Sequence, residues 1–152
     1  MKLTEHFTLE EMTDSKAHPD LVPANRAEAG RLYLPDLTDL CRFLLEPIRA
    51  KYGPLTVDNG FRGELLNKAV GGAATSLHRY GKAADVRRKD WTWEKVGEVM
   101  LWLKNDSGLH WGEAIRERRT SNGAVWLHIA SPAPGNSMEM WDGIDSKYTR
   151  WV

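Results

Sequence analysis

Ser76-Leu77-His78-Arg79-Tyr80-Gly81-Lys82-Ala83-Ala84-Asp85 is the stretch on which the reading of this chain turns. His78 and Asp85 stand seven positions apart. On a straight helix that is about 10 Å along the axis, and on a strand more than about 20 Å. Two ligands of one metal, each about 2 Å from it, must lie far closer. If both serve one ion, the chain has to fold back between them. Gly81 is where it can do so cheaply, because glycine carries no Cβ penalty at positive φ. Asp85 then faces inward from the strand that follows, with Val86 on the other side. Without a metal, Asp85 caps an element or pairs with an arginine.

Working outward, Trp126-Leu127-His128-Ile129 supplies a third candidate. His128 interrupts an apolar strand pattern, and alternation puts Trp126 and His128 on one face, Leu127 and Ile129 on the other. Two histidines and one aspartate make an open zinc site, with water in the fourth position. A lone strand histidine satisfied by a core hydrogen bond is the competing reading.

The flanking segments predict the scaffold. Phe7-Thr8-Leu9-Glu10-Glu11-Met12 reads as a short helix with a Thr8/Glu11 capping box. His18-Pro19 to Pro23 reads as an irregular connection. Leu37, Leu40, Cys41, Leu44, Leu45 and Ile48 recur at helical spacing and predict an amphipathic helix over 35–51, with a kink expected from Pro47. Leu55–Asp58 and Ala83–Arg87 read as strands, Glu64–Val70 as a short helix, and Trp93–Leu103 as a clear one. Trp111–Arg118 and Ala124–Ala130 read as strands joined by a hairpin through Arg119-Thr120-Ser121-Asn122-Gly123. The tail from 132 to 152 is Gly-, Ser- and Asp-rich and is expected to be extended or loosely packed. Early helices followed by strands in one antiparallel sheet give an α+β class. The whole chain, 1–152, is expected to be one domain.

Composition narrows the function. Lys+Arg and Asp+Glu are both 21 in 152 residues, so the formal net charge is zero. The basic surplus that marks nucleic-acid binding is absent, and no apolar run is long enough for membrane insertion. The first twelve residues lack the apolar core of a secretory signal. The single cysteine, Cys41, falls on the apolar face of the predicted helix and reads as a buried thiol. Seven tryptophans, six of them between Trp91 and Trp141 and the seventh at Trp151, exceed what a core of this size needs. The surplus is available to line a cleft.

The motifs occur in a telling order: Asn59-Gly60-Phe61-Arg62, Leu66-Asn67, Val70-Gly71-Gly72, Ser76-x-His78-x-x-Gly81-x-Ala83-Ala84-Asp85-Val86, and Trp126-x-His128. Upstream, Phe7 to Met12 and Leu45-Glu46-Pro47-Ile48-Arg49 join the pattern. Over about residues 5–131 the chain resembles the M15 peptidases, the zinc D-Ala-D-Ala carboxypeptidases and murein endopeptidases, close to their phage- and prophage-associated branch. The Hedgehog signalling domain shares that fold. The resemblance implies Zn2+ on His78, Asp85 and His128, a peptidoglycan peptide as substrate, and an endolysin-type enzyme; if it is phage-type, a holin or virion delivers it from the cytoplasm to the wall, and the chain is expected to be a monomer. A cellular D-Ala-D-Ala carboxypeptidase, or a catalytically silent zinc-stabilised phage domain, carries the same ligands.

The resemblance also assigns roles. Arg62 matches the arginine that binds substrate and stabilises the oxyanion, although the family's Ser-Gly-Tyr-Arg is Asn59-Gly60-Phe61-Arg62 here. The family's usual acid, three residues before the last histidine, falls on Val125, which has no proton to move. Ile115-Arg116-Glu117 matches the branch's Ile-x-Glu and makes Glu117 the candidate base, with Glu113 on the same face in reserve. Ser76 is a candidate to bind substrate. Tyr80 and Trp126 are candidates for the cleft wall or the core. Asn67, Gly71 and Gly72 are expected to shape a loop, and His6, His18 and His110 match no motif position.

Overall fold

A computed structural model describes all 152 residues. Six helices and six strands follow one another, with the strands in a single sheet of order β1-β2-β4-β3-β5-β6. The helices are α1 (Leu9–Thr13), α2 (Val22–Leu32), α3 (Leu34–Leu40), α4 (Glu46–Tyr52), α5 (Glu64–Ala69) and α6 (Trp93–Asn105). The strands are β1 (Thr56–Asn59), β2 (Ala83–Arg87), β3 (Glu113–Arg118), β4 (Val125–Ala130), β5 (Glu139–Ile144) and β6 (Lys147–Arg150). The α+β class is therefore as the sequence predicts.

The two faces of the sheet divide the labour. Ala84, Val86, Ala114, Leu127 and Ile129 are fully buried on the helix side. There α6 lays Val96, Val99, Met100 and Leu103 over β3 and β4. Burying each such side chain is worth about 1.5–3 kcal/mol. Thr92 caps α6 by accepting a hydrogen bond from the Lys95 amide. Leu37, Leu40, Leu44, Leu45 and Ile48 join the same core. By alternation, Asp85, Ile115, Glu117, Trp126 and His128 come out on the opposite face, where the cleft lies.

Several details depart from the sequence-based expectations. The helix expected over 35–51 runs through 34–52, but a π-helical turn, Cys41–Leu45, separates α3 from α4. Pro47 sits in the first turn of α4 just after it. Proline has no N–H to give the carbonyl four residues back and its ring crowds that carbonyl, and a wide turn relieves the crowding. The connection expected over 18–23 holds a 3-10 turn, Pro19–Leu21, and helix α2 already begins within it at Val22. The buried residues of α2 are only Asn25 and Ala29, so no apolar stripe announces it.

The tail is not loose. β5 and β6 form a hairpin that extends the sheet, and β5 runs parallel to β3, so the sheet is mixed instead of antiparallel. Cross-strand chemistry explains the docking. Arg116 clamps Asp142 with two hydrogen bonds of 2.9 Å, and Trp151 Nε1 donates to the same carboxylate at 2.8 Å. The hairpin turns at Asp145-Ser146, both at positive φ (48° and 62°), the conformation that a two-residue hairpin turn demands.

Candidate metal centre and cleft

The fold-back predicted between His78 and Asp85 is present. Leu77–Tyr80 form one 3-10 turn, Gly81 takes a left-handed φ of 70°, and β2 starts at Ala83. Asp85 then pairs in register with His128 on β4. His128 Nδ1 lies 2.9 Å from Asp85 Oδ1, and His78 Nε2 lies 3.5 Å from Asp85 Oδ2. One ligand atom from each residue falls within 4.8 Å of the other two. Donors about 2 Å from a tetrahedral ion stand about 3.3 Å apart, so the spacing fits.

Each ligand is oriented by its own neighbour. The His78 ring donates from Nδ1 to the Gly60 carbonyl at 2.8 Å, which leaves the Nε2 lone pair for the centre. The Arg62 amide donates to the His78 carbonyl at 2.9 Å, stitching the Asn59–Arg62 stretch to the first ligand. Gly60 has to be glycine, because a Cβ there would collide with the Met12 carbonyl. Asn59 Nδ2 donates to Asp85 Oδ2 at 3.3 Å. His128 Nε2 stands 3.0 Å from Glu113 Oε1, off the line of a good hydrogen bond, so that nitrogen is buried without a true partner. A carboxylate on the far nitrogen of a ligating imidazole is the usual device that fixes its tautomer.

The electrostatics suit a cation. Burial works to raise the Asp85 pKa, yet His78 and His128 overcome it and hold the carboxyl far below the ordinary range. Burial works to lower the His128 pKa, yet the Asp85 and Glu113 carboxylates raise it to about 10. All three ligands are buried. Two imidazoles and one carboxylate form the borderline donor set that zinc prefers, with room for a fourth group.

This centre floors a cleft of about 690 Å³, into which Arg62, Ser76, Glu113, Glu117, Arg119, Trp126, Trp141, Ser146 and Tyr148 also open. Arg62 has no carboxylate partner. It donates to Ser76 Oγ at 3.1 Å, and its buried Nε is unpaired. Burial draws its pKa below the ordinary arginine value, and Asp85 pulls it back. Glu117 accepts from Trp126 Nε1 and from the Tyr148 hydroxyl, both at 3.1 Å. Burial, then the charge of Asp85, push its pKa up. Ile115 pairs with His128, so Glu113 and Glu117 flank that ligand two residues to either side on the same strand face.

Of the sequence-derived candidates, His78, Asp85, His128, Arg62, Ser76, Glu113, Glu117 and Trp126 thus converge on one cleft. Tyr80 does not. Its ring stands edge-on to Tyr33 at 6.3 Å and its hydroxyl donates to the Ala74 carbonyl, because the turn before Gly81 carries it away from the cleft. Asn67 ties the Gly72 and Ala73 carbonyls, the loop-shaping role expected of it. His6 pairs with Glu46 and His110 with Ser137, both outside the cleft. Sequence reasoning misses the role of Asn59, which enters only as the first residue of the Asn59-Gly60-Phe61-Arg62 motif, and the tail's Trp141, Ser146 and Tyr148. Asp145-Ser146 between two alternating stretches is the signal that points to the last three.

Three buried side chains of the kind that can hold a metal, opening on a cleft with a carboxylate and an arginine that has no carboxylate partner, are what a metal-dependent hydrolase requires. The chain belongs to the peptidase M15 family, whose sequence model matches residues 5–116. The match takes in Arg62, His78, Asp85 and Glu113 and ends one residue short of Glu117. No curated protein matches the chain.

Proposed function

We propose that the protein is a zinc-dependent peptidoglycan peptidase that hydrolyses an amide bond in the peptide stem or crosslink, as an endolysin-type endopeptidase of phage or prophage origin. One observation carries the reading: Glu117 and the unpaired Arg62 open onto the same cleft as the His78, Asp85 and His128 donors. A structural zinc site needs neither.

His78 Nε2, Asp85 and His128 Nδ1 would hold the ion. Zinc bound there supplies Lewis acidity and lowers the pKa of a coordinated water. Glu117 serves as general base and then as acid, taking a proton from water and returning it to the leaving amine. Its raised pKa brings it closer to the neutral range in which such a group works best. Glu113 stands 3.0 Å from the His128 ring and is placed to orient that ligand. Arg62 is held ready for the carbonyl oxygen as negative charge develops, a preorganised cation in a partly desolvated site. Trp126 and Trp141 wall the cleft. With Val125 at the family's usual acid position, the base arrives from the neighbouring strand.

The test is digestion of purified peptidoglycan with mass analysis of the products. Separation of crosslinked muropeptides supports the endopeptidase. Stems shortened by a terminal residue mark a carboxypeptidase. Intact muropeptides from zinc-loaded protein would overturn the enzymatic reading.

A further inference from the structure

One row of four residues crosses the cleft face of the sheet. Trp126 on β4 pairs with Glu117 on β3, Glu117 with Gly143 on β5, and Gly143 with Tyr148 on β6. Adjacent strands stand about 4.8 Å apart, so Tyr148 starts about 10 Å from the strand that bears Glu117. Its hydroxyl nevertheless donates to Glu117 Oε1 at 3.1 Å. The space between them is kept open by Gly143. A Cβ there would lie 2.7 Å from Tyr148 Cε1, 3.0 Å from Cδ1 and 3.2 Å from Glu117 Oε1. Gly143 is not among the residues at positive φ, so its backbone conformation does not call for glycine. The tyrosine ring lying across it does.

We propose that Tyr148 is a positioning residue for Glu117, and that the C-terminal hairpin thereby completes the active site. The inference rests on the reading of Glu117 as the base. Trp126 Nε1 occupies Oε2 and Tyr148 occupies Oε1, so one donor on each oxygen fixes the plane of the carboxylate. Each oxygen keeps a second lone pair for water. Burial, then the neighbouring Glu117 charge, raise the Tyr148 pKa to about 12, so the phenol remains a donor across the neutral range. A tyrosine that only fastened β6 would be redundant, because β6 already pairs along its length with β5.

Two variants approach the contact from opposite sides. Tyr148→Phe deletes the hydroxyl and keeps the ring. Gly143→Ala keeps the hydroxyl and displaces the ring. Each is expected to lower kcat about tenfold, the loss that about 1.4 kcal/mol of misplaced transition state produces, while KM, zinc content and Tm stay near wild type. The indole N–H resonance of Trp126, which senses where the carboxylate lies, is expected to move in both. Adding Tyr148→Phe to Glu117→Gln is expected to cost nothing further.

If Glu117→Gln remains fully active, the base has been misassigned. If Glu117→Gln is dead while folded Tyr148→Phe or Gly143→Ala turns over at the wild-type kcat, the positioning role is wrong. A rise in KM alone, an unmoved Trp126 resonance, or an equal loss from Tyr148→Phe in the wild-type and Glu117→Gln backgrounds would overturn it as well.

Discussion

Replacing Glu117 with glutamine probes the chemistry with the least disturbance of the fold. Glutamine has the same shape, and its amide oxygen can accept from Trp126 Nε1 as the carboxylate does. Its amide nitrogen then faces the Tyr148 hydroxyl, which can turn from donor to acceptor. Both contacts survive, so lost turnover cannot be charged to a collapsed cleft. Burial raises the Glu117 pKa, so in the folded protein the ionised form is disfavoured relative to the unfolded chain. At any pH above both values the native carboxylate therefore costs stability, and glutamine relieves that cost. Tm is expected to hold or rise. A positioned general base contributes about 10²–10⁴ in rate, equivalent to about 3–5 kcal/mol of barrier. The variant should thus lose two to four orders of magnitude in kcat on a muropeptide substrate, with zinc content and KM near wild type. Stopped assays on defined muropeptides, with metal analysis of the same sample, measure all three. Retention of more than about a tenth of the wild-type kcat, with zinc in place, would refute the assignment and direct attention to Glu113→Gln.

Other outcomes follow from the same geometry. His78→Ala removes a ligand and one of the groups facing the buried Asp85 carboxylate, which keeps His128 and Asn59, a loss of about 3–5 kcal/mol. In the metal-loaded protein this should lower Tm by about 10 °C or more by calorimetry and abolish stoichiometric zinc. Because the carboxylates raise His128 to about 10, a proton competes with metal for that ring throughout the neutral range. Apparent zinc affinity, read by chelator competition, should fall about tenfold for each pH unit below that value and level off above it. Burial pushes the Cys41 thiol up to about 12, so thiol reagents should leave the native protein unlabelled at neutral pH and react once it is unfolded.

The candidate centre is legible chiefly through its ordered motif, with local chemistry in support. Only six residues stand between His78 and Asp85, so a shared ion requires a reversal, and among them only Gly81 offers it without a Cβ penalty. His128 stands out because nothing else polar interrupts the inner half of β4. The Leu37-to-Ile48 spacing discloses the long helix, but the π-helical turn beside Pro47 leaves that spacing nearly unchanged and so leaves no trace in it. Helix α2 escapes because it buries Asn25, which pins the Thr13 and Phe61 carbonyls and the Gly63 amide, in place of an apolar stripe. The tail escapes for a related reason. β5 and β6 are held by the Arg116–Asp142 clamp, the Trp151 donor and pairing with β3. Those are long-range contacts that a Gly- and Ser-rich stretch does not advertise. Glu117 is found through its motif, but its partner Tyr148 lies 31 residues away.

Digestion of purified peptidoglycan by the zinc-loaded protein tests the central assignment most directly, with His78→Ala and Glu117→Gln in parallel. Wild-type protein should release fragments whose summed mass exceeds that of the uncut muropeptide by one water per cut, the chelated protein and both variants none. Intact muropeptides from the zinc-loaded wild type, or cleavage that survives in both variants, would contradict it.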